Sequence, residues 1–278
     1  MFPRMTNIDW LLAASAVLAL VPAAILAWRG LLVPAGEIPG EPGPTFWAVT
    51  AVAIAGPATW ALLQVGGTWR TGLSVALWFT VAATMAIFAL VAGVSRQAWR
   101  LSPLLIPYLL LLAIVALVWQ RAPERPLAPS NQAWLEIHIA VSVATYALAT
   151  LAAVTGLSVF LQERALKSRQ PTALTRHLPS IADGELLLVR LLMVAAAVLL
   201  VDLLTGMSIQ YLKAGTLMRL EHKTLLSLLS FVVIVGLLAA HYRTGVRGRR
   251  AARYVLLGYL LLTLAYPGVK FVTDVLIG

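Results

Sequence analysis

The chain has 278 residues, 60% of them hydrophobic and only 12% charged, with a mean hydropathy of +0.88 and a net charge of +10. A water-soluble core cannot absorb that much apolar side chain, so the composition excludes an ordinary soluble fold and makes the bilayer the solvent. Cysteine is absent, which excludes disulfides, thiolate metal ligands and dithiol redox chemistry. The positive charge reads as loops facing anionic lipid and not as a nucleic-acid surface.

A spanning helix needs about 20 apolar residues. Eight segments qualify, near 8–28, 46–64, 71–94, 101–119, 134–161, 186–211, 225–241 and 252–271. The expected fold is all-α: a polytopic integral membrane protein, a bundle of eight transmembrane helices forming one domain over residues 1–278. The first run is a full span with no small-residue cleavage site after it, so it reads as helix one and not as a signal peptide. Trp10 and Trp28 suit an interfacial belt, and Pro22 predicts a kink. A Pro- and Gly-rich linker follows. Gly56–Pro57 in the second span reads as a structural break shielded by neighbouring helices. Gly66–Gly67 makes a tight turn, bracketed by Trp69 and Trp78, which are expected in the belt or as walls of a flat hydrophobic ligand. Pro103 and Pro107 fall in the first turns of the fourth span, where proline costs least.

The fifth span carries His138 one turn from its start, with Ser142, Thr145 and Ala149 below it at helical spacing and Tyr146 leaning to the same side. The arrangement is either a ligand site or an interfacial histidine. The segment after it is charged, continues the helix beyond the membrane, and includes His177. Asp202 in the sixth span is an ionisable residue inside an apolar run, which calls for a protein interior or wet cavity. It is either a structural acid or an acceptor for a nearby imidazole or arginine. His222 and His241 open and close the seventh span, about 28 Å apart at 1.5 Å per residue, so they cannot share a ligand.

Arginine placement sets the expected orientation. Arg243, Arg247, Arg249, Arg250 and Arg253 crowd one short loop, which is placed in the cytoplasm. Both termini are then on the outer, periplasmic side, together with His138 and His222. Two outer histidines with tryptophans nearby fit a bis-imidazole site for a planar metallo-cofactor, with Arg121, Arg125, Arg219 or Lys223 available to pair with propionates. Zinc, copper or purely structural histidines remain alternatives. The chain contains no Gly-rich phosphate loop, HExxH or usable Ser-His-Asp set, and no enzymatic activity is expected.

Three stretches carry a resemblance: 134–167 (WLEIHIAVSVATYALATLAAVTGLSVFLQERALK), 222–251 (HKTLLSLLSFVVIVGLLAAHYRTGVRGRRA) and 261–272 (LLTLAYPGVKFV). The chain resembles the inner-membrane cytochrome c assembly family, in its eight-helix branch with YpjD and HemX, related to CcsA and CcmC. The resemblance implies a multi-pass protein of the bacterial inner membrane that handles non-covalent haem b near the outer surface. Its implied iron ligands are His138 and His241, and the ligand role of His222 comes from position alone. The tryptophan-rich WWD segment of the CcsA and CcmC relatives is absent, and Gly56–Pro57–Ala58 stands where several relatives place a histidine. The expected partners are haem, cytochrome c maturation proteins and the lipid bilayer, and no nucleic acid. Two alternatives stay open: a HemX-like regulator acting on a cytoplasmic enzyme of haem synthesis, and a haem-independent transport-associated protein.

Overall fold

The structure is a computed structural model, and it describes residues 7–32, 41–65, 70–120, 125–126, 132–215 and 222–272. Eight helices are long and apolar enough to cross a membrane: α1 Ile8–Leu32, α2 Pro44–Val65, α3 Leu73–Val94, α4 Ala98–Val118, α5 Trp134–Ser168, α6 Ile181–Leu212, α7 Thr224–Thr244 and α8 Gly248–Phe271. Each answers to one of the eight apolar runs. The chain is an all-α integral membrane protein.

Local chemistry explains where these helices begin, break and end. α1 consists of two pieces, Asn7–Leu18 and Val21–Arg29, separated by a turn at 19–20. Pro22 lies in the first turn of the second piece, where its missing N–H is no loss. The expected kink is therefore a full break. α2 runs unbroken through the buried Pro57, and Gly56 faces the break in α1: a Cβ on Gly56 would stand 2.4 Å from that of Ala19. Pro103 and Pro107 fall in the first two turns of the helix Ser102–Val118, with Pro107 already inside it. α5 continues into the charged stretch as far as Ser168, as the sequence predicts. Ser180 starts the next helix by accepting the Asp183 N–H at 3.2 Å. Gly215, at φ 66°, closes it and donates to the Tyr211 carbonyl at 2.9 Å. In α8, Pro267 supplies no N–H, and the helix widens into a π turn over Leu264–Gly268.

α5 is the hub, packed against α6, α8 and α3, while α1 leans on α2 and α4. The deepest side chains are Trp78, Phe88 and Met85 from α3, Leu105 and Leu109 from α4, and Tyr146 and Leu151 from α5. Leu11, Leu62, Leu90 and Leu111 stand on the outside, as lipid contact requires. Trp78 departs from its expected belt position. It has no exposed surface, because α3 is covered by α2, α4 and α5. Trp69 and Gly66–Gly67 lie outside the described residues. At the end of the bundle where α5 begins, Arg70–Thr71 pairs antiparallel with Arg125–Pro126, the one strand pairing among the described residues.

Because the Gly56 Cβ position is filled by Ala19, Gly56→Ala must push α1 off α2. We expect a loss of about 1–3 kcal/mol, read as a lowered melting temperature of the detergent-solubilised protein. Gly236→Ala, where a Cβ meets nothing within 4 Å, should not lower it.

Candidate functional site

Two polar faces meet between α5 and α6. On α5, His138 and Ser142 are four residues apart and share one side of the helix. On α6, Asp202, Thr205 and Gly206 share another at spacings of three and four. The Thr205 hydroxyl donates to the carbonyls of Val201 and Asp202, at 2.9 and 3.0 Å. Its oxygen is therefore the acceptor in the 2.9 Å contact with His138 Nδ1. Asp202 Oδ1 lies 3.3 Å from the same nitrogen and accepts from Ser142 Oγ. Nδ1 is thus the donor nitrogen of this contact, which leaves Nε2 as the nitrogen that can offer a lone pair. Gly206 makes room for the imidazole: a Cβ there would approach His138 Cε1 to 3.2 Å. The His138 and Asp202 side chains keep 18% and 15% of their surface accessible, so the pair is neither sealed in the core nor loose on the surface.

Below this group the hydroxyl chemistry changes. Thr145 is buried but its Oγ1 has no hydrogen-bond partner, so it does not extend the His138 cluster. Tyr146 turns instead into a cluster across α4, α5 and α8. Its hydroxyl lies 3.1 Å from Tyr259 and 3.1 Å from Thr263, and Tyr259 also bonds Tyr108 and receives Thr150 Oγ1 at 3.1 Å. Tyr266 stacks obliquely on Tyr146 with ring centroids 6.4 Å apart. The sequence marked Tyr146 alone; Thr150 shares its face of α5 and Tyr259, Thr263 and Tyr266 share a face of α8 at helical spacing, but no spacing rule connects one span with another.

The opposite end holds two more histidines. His241, half-buried at the end of α7, donates Nδ1–H to the Val246 carbonyl at 3.0 Å, across a turn that uses Gly245 at φ 68° and Gly248 at φ 58°. The Gly248 N–H that opens α8 bonds Glu185 Oε1 at 2.8 Å. His177 was expected in a solvated charged segment. It is instead 4% exposed. A Thr172–Thr175 capping box sets the short helix Ala173–His177, and Gln162 of α5 bonds the carbonyls of Leu178 and Pro179, at 3.2 and 3.0 Å. Together they fold the segment back against the bundle. The ring meets Trp99 edge-on at 5.4 Å between centroids. Burial, with Arg100 adding to it, holds this imidazole below the ordinary histidine pKa, and the Gly30 backbone opposes the shift weakly.

The structure thus brings His138 and Asp202 together and keeps His241 at the other end. His222 opens its helix exposed. Of the basic residues named for propionates, Arg121 and Arg219 lie outside the described residues, and the side chains of Arg125 and Lys223 are not among those described. Among the described residues no three His, Asp or Glu side chains gather into a metal site. Asp202 was legible as a possible acceptor for a nearby imidazole or arginine, and the structure sets it beside His138; the parts played by Thr205 and Gly206 were not legible.

Residues 47–277 match the family described as "Cytochrome C assembly protein". An "Uncharacterized 28.8 kDa protein in nifR3-like 5'region" from Azospirillum brasilense is 55% identical over 267 residues, covering 95% of this chain and 97% of its own. "Inner membrane protein YpjD" from Escherichia coli strain K12 is 28% identical over 142 residues, about half of each chain. No solved structure matches.

Two outcomes follow from the geometry. Thr205→Val removes an acceptor from His138 while keeping the shape, at a net cost of about 0.5–1.5 kcal/mol. In a double-mutant cycle with His138→Ala, thermal stability should be non-additive. His177 has its pKa lowered by folding, so the unfolded chain binds more protons. Its contribution to stability is full above about pH 6.5, the ordinary histidine value. That contribution should be lost as the pH falls below this value, and an acid melting series should show His177→Gln flattening that slope.

Proposed function

As the chain belongs to the cytochrome C assembly protein family, we propose that it binds haem b non-covalently through His138 and presents it during cytochrome c maturation. The observation that carries this reading is the seating of His138. A carboxylate and a hydroxyl hold Nδ1, which orients the ring and raises the basicity of Nε2, the arrangement typical of metal-bound histidine. Gly206 lets the ring lie close to α6. The residues present therefore fit haem: His138 would hold the iron, and the bound haem would supply the redox centre. Asp202 and Thr205 orient the imidazole; Ser142 orients Asp202. From their places in the sequence we assign His222 and the basic residues Arg121, Arg125, Arg219 and Lys223 to the propionates and the rim.

The protein acts as a membrane assembly factor, and no chemical step is assigned to it. We place it in the bacterial inner membrane with both termini on the periplasmic side. The E. coli relative is an inner membrane protein by name, which supports the membrane, and the arginine-rich turn between α7 and α8 supports the orientation. His241, with Nδ1 on the Val246 carbonyl, likewise offers Nε2 and is assigned as a haem contact at the cytoplasmic end.

Protein purified from haem-replete cells should show a Soret band. His138→Ala should remove most of the absorbance of that site, and Asp202→Asn should shift the band and weaken binding about 10–100-fold. A wild-type spectrum without haem, combined with co-purification of a cytoplasmic haem-synthesis enzyme, would replace this reading with that of a membrane regulator.

A further inference from the structure

The His177 end contains a cavity of about 390 Å³, bounded by the second piece of α1, the start of α2, the start of α4 and the turn that bears His177. Its walls are mostly apolar and aromatic, with Leu26 and Ala27 on one side and Phe46 and Trp99 on the other. At its mouth stands the exposed cation Arg29; Glu41, also at the mouth, pairs with Arg96 at 3.2 Å. His177 lines this cavity, is 4% exposed, and its Nδ1 has no hydrogen-bond partner. A buried polar atom left unsatisfied costs about 1–3 kcal/mol, so it calls for an explanation in terms of what completes it. Gly30 is the reason the ring can sit here: a Cβ at that position would be 2.8 Å from His177 Cε1.

We propose that this cavity is a second metalloporphyrin site, distinct from the His138 seat, in which His177 ligates the metal, Phe46 and Trp99 cover the macrocycle, and Arg29 pairs with a carboxylate. The proposal rests on the haem reading above for the identity of the ligand. The cavity itself supplies the rest. Its size falls in the range of about 300–1,000 Å³ seen for small-molecule sites, and it is open, so the acidic edge of the ligand projects toward Arg29. A phospholipid acyl chain would fit the apolar walls but would leave the imidazole nitrogen unsatisfied.

The test is a titration of the purified full chain carrying His241→Ala, which removes the haem contact assigned at the cytoplasmic end, stripped of haem, with haemin and with zinc protoporphyrin. Two equivalents should bind to this parent chain. His177→Ala should leave one, and so should Ala27→Phe, which fills the cavity from α1 and leaves every histidine in place. His138→Ala should also leave one, and that one should disappear in the His138→Ala, His177→Ala double variant. Metal-free protoporphyrin should bind the His177 site at least tenfold more weakly than the zinc form. A single equivalent that depends on His138 and is unchanged by both His177→Ala and Ala27→Phe would overturn the second site and leave the His138 reading intact. Equal affinity for metal-free and zinc porphyrin would also overturn it, as would a co-purifying phospholipid displaced by Ala27→Phe. No porphyrin bound at all would sink both readings.

Discussion

An ionised carboxylate inside a membrane bundle must be paired or protonated, because neither lipid nor apolar side chains will solvate it. Asp202 meets that requirement by collecting Ser142 and His138 from the neighbouring helix. The contact fixes the rotation of α6 relative to α5, the most extensive helix pair in the fold. It also fixes which nitrogen of His138 is the donor. Structure and chemistry at this end therefore share one constraint: the group that orients the imidazole is the one that would be costly to bury without it.

The tyrosine cluster follows the same logic without charge. In a bundle where helix association gains little from the hydrophobic effect, packing and interhelical hydrogen bonds hold the helices together. Tyr108, Tyr146 and Tyr259 tie α4, α5 and α8 around one another, and Thr150 and Thr263 satisfy the remaining hydroxyls while also bonding their own helix carbonyls. Ser230 does comparable work between α7 and α8 through the Gly258 carbonyl at 2.8 Å. Small residues permit the close approaches: Gly156 lies against Ala252 and Val255, and Gly258 against Ile234 and Val233.

Much of this was legible in the sequence, for physical reasons. Apolar run length reports the spans directly, so all eight appear close to where composition puts them. Asp202 and His138 stood out because each is expensive where it is. That they meet was not readable, since the contact depends on how two helices are rotated about their axes. His177 shows the opposite failure. Its neighbours Arg176, Lys167 and Arg169 make the segment look solvated, yet Thr172, Thr175 and Gln162 fold the turn inward and bury the one imidazole within it. Trp78 misled for a similar reason: proximity to a span's end suggested an interfacial ring, but α3 is covered by its neighbours.

The spans differ in length, and the difference divides their labour. Helices such as α4 and α7, at 21 residues, are about 32 Å long and match the hydrocarbon core. α5, at 35 residues, is about 52 Å long, and α6 nearly as much. The short helices set the bilayer thickness in which the protein sits without tilting. The long pair extends roughly 20 Å beyond the hydrocarbon core, through the headgroup layer and out of it. Since His138 lies near one end of α5 and Gln162, which grips the His177 turn, near the other, a single unbroken rod spans both ends. A thicker or thinner membrane would be absorbed by the short helices, while the spacing between the two ends of the rod stays constant.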